Sequence, residues 1–190
     1  WIGVPPDFFY QLMTAHGSGM VGISGLAASA VLWYFLRRYV ELTTGVLWIN
    51  LGLFLTGVVC VLGSIFLGGF GGGWTFLFPL PSSSMGLWGT WAAASFMFGM
   101  LLIGTGFLIL YLDVARAILA RYGSIPRALG WPQLFANSGA PMPPATIVAS
   151  TMVVVVNVMG IVAGAVVLAI MLINLFIPEF AVNALLTKNL

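Results

Sequence analysis

The chain has 190 residues, of which 61% are hydrophobic and only 5% are charged. Roughly a quarter of the residues in an ordinary soluble domain are charged, so this composition excludes a soluble globular protein and predicts an integral membrane protein. The net charge of +2 comes from six basic and four acidic residues scattered along the chain, which argues against a nucleic-acid-binding surface. Cys60 is the one cysteine, so no intrachain disulfide is expected.

Four apolar segments are long enough to cross a membrane as helices, which takes about 20 residues. They cover roughly residues 8–35, 46–67, 87–112 and 145–177, and none of them contains an acidic or basic residue other than histidine. The alternating pattern of a membrane β-strand is missing, and a helix satisfies its own backbone hydrogen bonds in lipid. We therefore predict an all-α integral membrane fold in which residues 1–190 form one unit with four transmembrane helices.

Basic residues are concentrated after the first and third segments, whereas residues 70–84 carry no charge. The arginines in question are Arg37, Arg38, Arg116, Arg121 and Arg127. Because Lys and Arg favour cytoplasmic loops, we predict loops 37–44 and 113–144 inside, and the N-terminus and loop 70–84 outside. Loop 113–144 mixes an amphipathic helix with Pro and Gly turns, so we expect it along the inner membrane surface.

His16 is the one histidine of the chain, and it lies about 12 Å into the first apolar segment, at 1.5 Å per residue. A polar side chain is costly at that depth unless it is paired, and ionisable residues inside membranes often mark function. One interpretation is a hydrogen bond to a carbonyl of a neighbouring helix, which would stabilise helix packing. The other is ligation of a haem iron.

Small residues surround His16 in sequence, and we expect them to give the helix a smooth surface on which a flat porphyrin fits. They are Ala15, Gly17, Ser18, Gly19, Gly22, Gly25 and Ser29. Close helix packing explains the same glycines without a cofactor. A single histidine supplies neither a bis-histidine haem site nor a copper or zinc site of several imidazoles, so any further ligands must come from elsewhere.

A glycine-rich stretch, "GGFGGGWTFLFPLPSSS", covers residues 68–84 on the same predicted outer side as His16. A dinucleotide-binding loop is excluded, because Trp74 stands where the last glycine of that pattern belongs. We interpret the glycines as allowing a close approach of the backbone, and Trp74 with the following aromatic residues and prolines as a rigid lid. The Trp74 indole suits a carboxylate such as a haem propionate, although aromatic residues also gather at any membrane interface.

Two motifs together resemble catalytic subunit I of the haem-copper oxidases, which comprise cytochrome c and quinol oxidases. They are "TAHG" at residues 14–17 and "GGGWTFLFPL" at residues 71–80. The resemblance implies that His16 is an axial ligand of the low-spin haem iron. It also implies a loop above the haem propionates, formed by Gly71, Gly73, Trp74, Thr75, Pro79 and Leu80. Leu77 and Phe78 depart from the family pattern, in which Tyr and Pro are usual, and resemble more the divergent ba3-like type.

The order of the motifs resembles helices two to five of the family's larger twelve-helix bundle. We therefore expect the chain to be part of a longer subunit I, whose remaining helices hold a high-spin haem and copper. The chain lacks the histidine ligands of that haem-copper centre, so we place no catalytic residue in it and assign cofactor binding to His16, Trp74 and Thr75, with His16 on the metal. Expected partners are the rest of subunit I, other oxidase subunits, membrane lipid, and a cytochrome c, copper protein or quinol as electron donor.

The function implied by this resemblance is that of a terminal oxygen reductase in a respiratory chain of a prokaryotic cytoplasmic membrane. Such an oxidoreductase passes electrons through the low-spin haem to a haem-copper centre, reduces oxygen to water and couples this electron transport to proton translocation. A nitric oxide reductase of the same superfamily is the related alternative. A cofactor-free structural membrane subunit, in which His16 only stabilises helix packing, is the alternative of a different class.

Overall fold

The computed structural model describes residues 3–73, 84–136, 139–178 and 180. Over these residues the chain is helical, with turns and loops but without strands. Four helices are long and apolar enough to cross a membrane: α1 (Pro6–Leu36), α2 (Thr44–Phe66), α3 (Thr90–Tyr122) and α6 (Ala145–Phe176). Two short helices, α4 (Ile125–Ala128) and α5 (Trp131–Phe135), connect α3 to α6. The expectation of an all-helical chain with four membrane-length helices is confirmed.

Helix α3 is longer than the sequence predicts, since it continues to Tyr122 instead of ending near residue 112. The predicted membrane span ended before the first charge, Asp113, and the amphipathic helix expected in the following loop is the direct continuation of α3. The helix ends where Gly123 adopts a left-handed φ of 78°, a conformation that glycine adopts at little cost. The first part of the predicted loop 113–144 is therefore helical, and α4 and α5 occupy part of the remainder.

Helices α2 and α3 form the most closely packed pair, in an antiparallel arrangement with contacts every seven residues. The contacting pairs are Thr43 with Asp113, Asn50 with Gly106, Gly57 with Gly99, and Ser64 with Ala92. A Cβ atom on Gly57 would lie 2.6 Å from the carbonyl oxygen of Gly99, and the reverse distance is 2.7 Å. Small residues therefore let the two backbones touch, as is common between membrane helices.

Polar contacts hold both ends of this pair. The Ser64 hydroxyl donates to the carbonyl of Ala92 at 2.6 Å. At the opposite end the Asp113 carboxylate accepts from the Thr43 backbone N–H and hydroxyl, each at 2.9 Å, and pairs with Arg116 at 2.7 Å. These bonds explain why Asp113 is tolerated with 8% of its surface exposed.

Helix α1 packs less closely on the others, with similar contact to α2 and α6. One face of α1 carries Gly22 against Phe54 of α2, Gly25 against Phe107 of α3, and Ser29 within 3.3 Å of the Tyr111 hydroxyl. The opposite face is exposed along most of its length. Of the four long helices in the described part of the chain, α1 is therefore the one least covered by the others.

Candidate functional site

His16 lies on the exposed face of α1, and Thr14, only two residues earlier, is buried with 1% of its surface accessible. Successive residues of an α-helix are about 100° apart, so two residues separate the side chains by about 200°. Thr14 therefore points into the protein and His16 points away from it. The His16 imidazole makes no hydrogen bond with any residue that the structure describes.

Thr14 connects the two motifs. Its hydroxyl donates to the carbonyl of Tyr10 at 2.8 Å, one turn back in α1, and accepts from the backbone N–H of Gly73 at 3.1 Å. A threonine hydroxyl has one proton and two lone pairs, so it makes both bonds at once. The start of the glycine-rich loop is thereby fixed to α1 within one helical turn of His16.

The glycines of the loop allow this close approach. A Cβ atom on Gly71 would lie 3.2 Å from the Tyr10 Cβ, which is tighter than an ordinary contact. Gly73 has a φ of 75°, in the left-handed region that side chains other than glycine disfavour. The expected close approach is therefore made, and the element approached is α1.

Aromatic residues support the loop from the other side. Gly72 lies against Phe70 and Trp88, where an added Cβ would come within 2.8 Å and 3.0 Å of ring atoms. Phe70 is fully buried and stacks on Phe96 of α3 with ring centroids 4.3 Å apart. The supporting roles of Phe70 and Trp88 were not predicted from the sequence, although a lone phenylalanine inside a glycine run is a usable signal for an anchor.

Two of the three predicted site residues, Trp74 and Thr75, lie outside the described residues, as do Leu77, Phe78, Pro79 and Leu80. Their predicted placement above a haem remains a prediction. The structure does describe Gly71 and Gly73, where the loop leaves α1. The approach of the loop to the helix that carries His16 is thus established up to residue 73.

The small residues near His16 in sequence divide between two faces of α1. Gly22, Gly25 and Ser29 face the other helices, so the expectation that they flank the histidine is wrong. These three residues are near His16 along the chain, but the helical period turns them away from His16 and toward the other helices. Gly19 lies between the two faces, about 60° from His16 and about 60° from Gly22, and with Gly22 it lines a cavity between α1, α2 and α3, where an added Cβ meets nothing within 4 Å.

Among the described residues, this site offers one metal-binding side chain, the imidazole of His16. Among the residues that the structure describes, no group of three or more His, Cys, Asp or Glu side chains lies close enough to hold a metal ion. The free Cys60 lies on α2, away from the exposed face of α1. The exposed His16 imidazole is accessible from outside the described bundle, and any further metal ligand would have to come from another chain segment.

Comparison with protein-family models, curated proteins and solved structures gives no match to this chain.

Proposed function

We propose that this chain is part of the catalytic subunit of a terminal haem-copper oxygen reductase, in which His16 is an axial ligand of the low-spin haem iron. The observation that carries the proposal is the arrangement around Thr14. The hydrogen bond from Gly73 to Thr14 joins the two motifs that resemble the family. On the opposite face of the same helix, His16 is exposed and has no partner among the described residues.

An imidazole at that position requires a partner. Helix α1 is long and apolar enough to cross the membrane, and His16 lies well inside it. A polar ring left unpaired in lipid is costly, so the face of α1 that carries His16 is expected to contact another helix, a cofactor or both. Coordination uses the neutral imidazole, with one nitrogen on the iron and the other free to donate to an acceptor that orients the ring.

In this proposal the chain's own residues hold and orient the haem. The Thr14–Gly73 hydrogen bond holds the outer loop on the inward face of α1, within one turn of His16 along the helix. We propose that Trp74 and Thr75 continue from that point over the haem propionates, with the Trp74 indole as donor. When bound, the low-spin haem supplies the electron relay between the donor and the oxygen-reducing centre. The high-spin haem and copper of that centre are assigned to segments outside this chain, together with the proton-translocating function of the complete subunit.

The same proposal includes a topology. The arginine-rich ends of α1 and α3 lie together, so by the preference of basic residues for the cytoplasm this end faces inward. The Thr14–Gly73 contact then lies near the outer surface. A cytochrome c, copper protein or quinol is the proposed electron donor, in a prokaryotic cytoplasmic membrane.

A structural membrane subunit without a cofactor is the second candidate, and one observation favours it. Gly22 and Gly25 pack against Phe54 and Phe107, so helix packing already explains two of the glycines near the histidine. In this case His16 binds a carbonyl or hydroxyl of a partner helix. A nitric oxide reductase of the same superfamily shares the haem site with the leading proposal and differs in segments that this chain does not contain.

The test is a reduced-minus-oxidised visible spectrum, with a pyridine haemochrome assay, of the purified complex that contains this chain. A low-spin haem band, together with a second haem that binds carbon monoxide, supports the proposal. Oxygen consumption against nitric oxide consumption then separates the two reductases. A complex without haem would contradict the oxidase proposal and support the second candidate, a structural membrane subunit.

A further inference from the structure

A cleft of about 450 Å³ lies where α1 and α3 end, beside the turn that connects α1 to α2. Its charged lining residues are Arg37, Arg38, Glu41, Arg116 and Arg121. Arg37 directly follows α1, and Arg121 belongs to the last turn of α3. The turn and the helix end thus bring together arginines that are far apart in the sequence.

One of these arginines, Arg116, is hydrogen-bonded to other residues of the chain and holds the shape of the cleft. The Arg116 guanidinium bonds to Asp113 at 2.7 Å and reaches the Glu41 carbonyl at 3.4 Å and the Thr43 hydroxyl at 3.3 Å. These contacts tie the turn to α3. The wall formed by Arg116 is therefore oriented in the absence of any ligand.

The other three arginines carry charge that no carboxylate of the described residues neutralises. Arg116 with Asp113 is the one ion pair in that part of the chain. Arg37 lies over the rings of Trp33 and Tyr34, at 5.4 Å and 4.9 Å from the ring centroids. Such stacking uses the face of a guanidinium and leaves its N–H edge free to donate. Four arginines thus face two carboxylates, those of Glu41 and Asp113, and the cleft is positive.

The level of the cleft in the membrane follows from the helices that form it. Both α1 and α3 are apolar enough to span the hydrocarbon layer, so their charged ends lie at the level of the lipid headgroups. Exposed Tyr34 and Phe35 lie on α1 immediately before Arg37, and the Arg38 guanidinium stands over both rings at 5.6 Å and 5.9 Å. The charged cleft therefore adjoins apolar surface suited to an acyl chain.

We propose that this cleft binds the phosphate headgroup of an anionic phospholipid, with Arg37, Arg38 and Arg121 as donors and Arg116 as the positioning residue. Guanidinium groups match phosphate oxygens with paired N–H bonds, and a basic pocket at a helix end is suited to anionic headgroups. Glu41 opposes the ligand and limits the affinity. The inference depends only on the cleft and is independent of the haem proposed at His16.

The experiment is native mass spectrometry of the purified full chain released from neutral detergent, titrated with phosphatidylglycerol or with phosphatidylcholine. We expect preferential retention of phosphatidylglycerol. Its affinity should fall roughly fivefold for each arginine removed in the Arg121→Gln and Arg37→Gln/Arg38→Gln variants. The matched control is Arg127→Gln, which removes an exposed arginine of α4 outside the cleft and should leave the affinity unchanged. Glu41→Gln should raise the affinity.

Equal retention of the two lipids, or an affinity of Arg121→Gln equal to that of Arg127→Gln, would overturn the proposal. Displacement of phosphatidylglycerol by inorganic phosphate at comparable concentrations would show a free-anion site and would also overturn the assignment to lipid. Loss of the Arg37 and Arg38 charges also weakens the topology signal, so correct insertion of that variant is checked by protease accessibility. If it fails to insert, Arg121→Gln and Glu41→Gln decide the question.

Discussion

The hydroxyl of Thr14 accepts a hydrogen bond from the backbone N–H of Gly73 at 3.1 Å, across 59 residues of sequence. This bond joins the first membrane helix to the glycine-rich loop. Because Thr14 faces inward, the same helix presents His16 on the opposite, exposed side. Thr14 thus fixes the loop on the face of α1 opposite His16.

Replacing Thr14 with valine should loosen the loop without preventing membrane insertion. The variant keeps the shape of the side chain but leaves the Gly73 N–H without its acceptor, at a cost of about 1–3 kcal/mol. We expect lower haem occupancy or a shifted low-spin band in the purified complex, measured by visible spectroscopy. Thr56→Val is the control, because the exposed Thr56 of α2 also donates to a carbonyl four residues back, at 2.9 Å, without joining two segments. Equal spectra of the two variants would contradict the role of Thr14.

Replacing Gly57 with alanine should weaken the packing of α2 on α3. The new methyl would lie 2.6 Å from the Gly99 carbonyl oxygen, so the two backbones must move apart. Overpacking of this kind costs typically about 1–3 kcal/mol. The free energy of unfolding in mixed detergent micelles provides the measurement. Gly52→Ala in the same helix meets open space and should retain the stability of the parent protein. A stability of Gly57→Ala equal to that control would show that the close contact is unimportant.

Replacing Asp113 with asparagine should destabilise the arginine-rich end of the bundle. The carboxylate accepts from Thr43 twice and pairs with Arg116, and hydrogen bonds to a charged group contribute about 1.5–3 kcal/mol. We expect a lower unfolding temperature and faster proteolysis of the turn between α1 and α2. Glu41→Gln is the comparison, since the exposed Glu41 side chain makes no ion pair in the described part of the chain. It should change stability by less than about 0.5 kcal/mol. Equal stabilities of the Asp113→Asn and Glu41→Gln variants would rule out a stabilising role of Asp113 at this end of the bundle.

The number and approximate bounds of the long helices follow from the sequence, because an apolar run of about 20 residues has few alternatives in a membrane. The extension of α3 to Tyr122 does not follow from the sequence. The sequence predicts an amphipathic helix within loop 113–144, but it does not predict that this helix continues α3 through Asp113, whose carboxylate is bonded by Thr43, 70 residues earlier in the chain. A tertiary contact of this kind has no local signature.

The candidate site was predictable in composition but not in orientation. His16 and the glycine-rich loop stand out as residues, and their resemblance to one family rests on residue identity alone. The allocation of Gly22 and Gly25 to the inward face, away from His16, depends on which side of α1 meets Phe54 and Phe107. That side is determined by how three helices pack together, so it cannot be predicted from composition or from proximity in sequence.

The ligand assignment of His16 is tested most directly by comparing reduced-minus-oxidised visible spectra of the complex with His16→Leu and with Met20→Leu. Met20 lies one turn further along the same exposed face, so its substitution controls for a change of that surface. We expect His16→Leu to insert into the membrane but to lose the low-spin haem band, whereas Met20→Leu retains it. A normal low-spin band in correctly inserted His16→Leu would contradict His16 as the haem ligand.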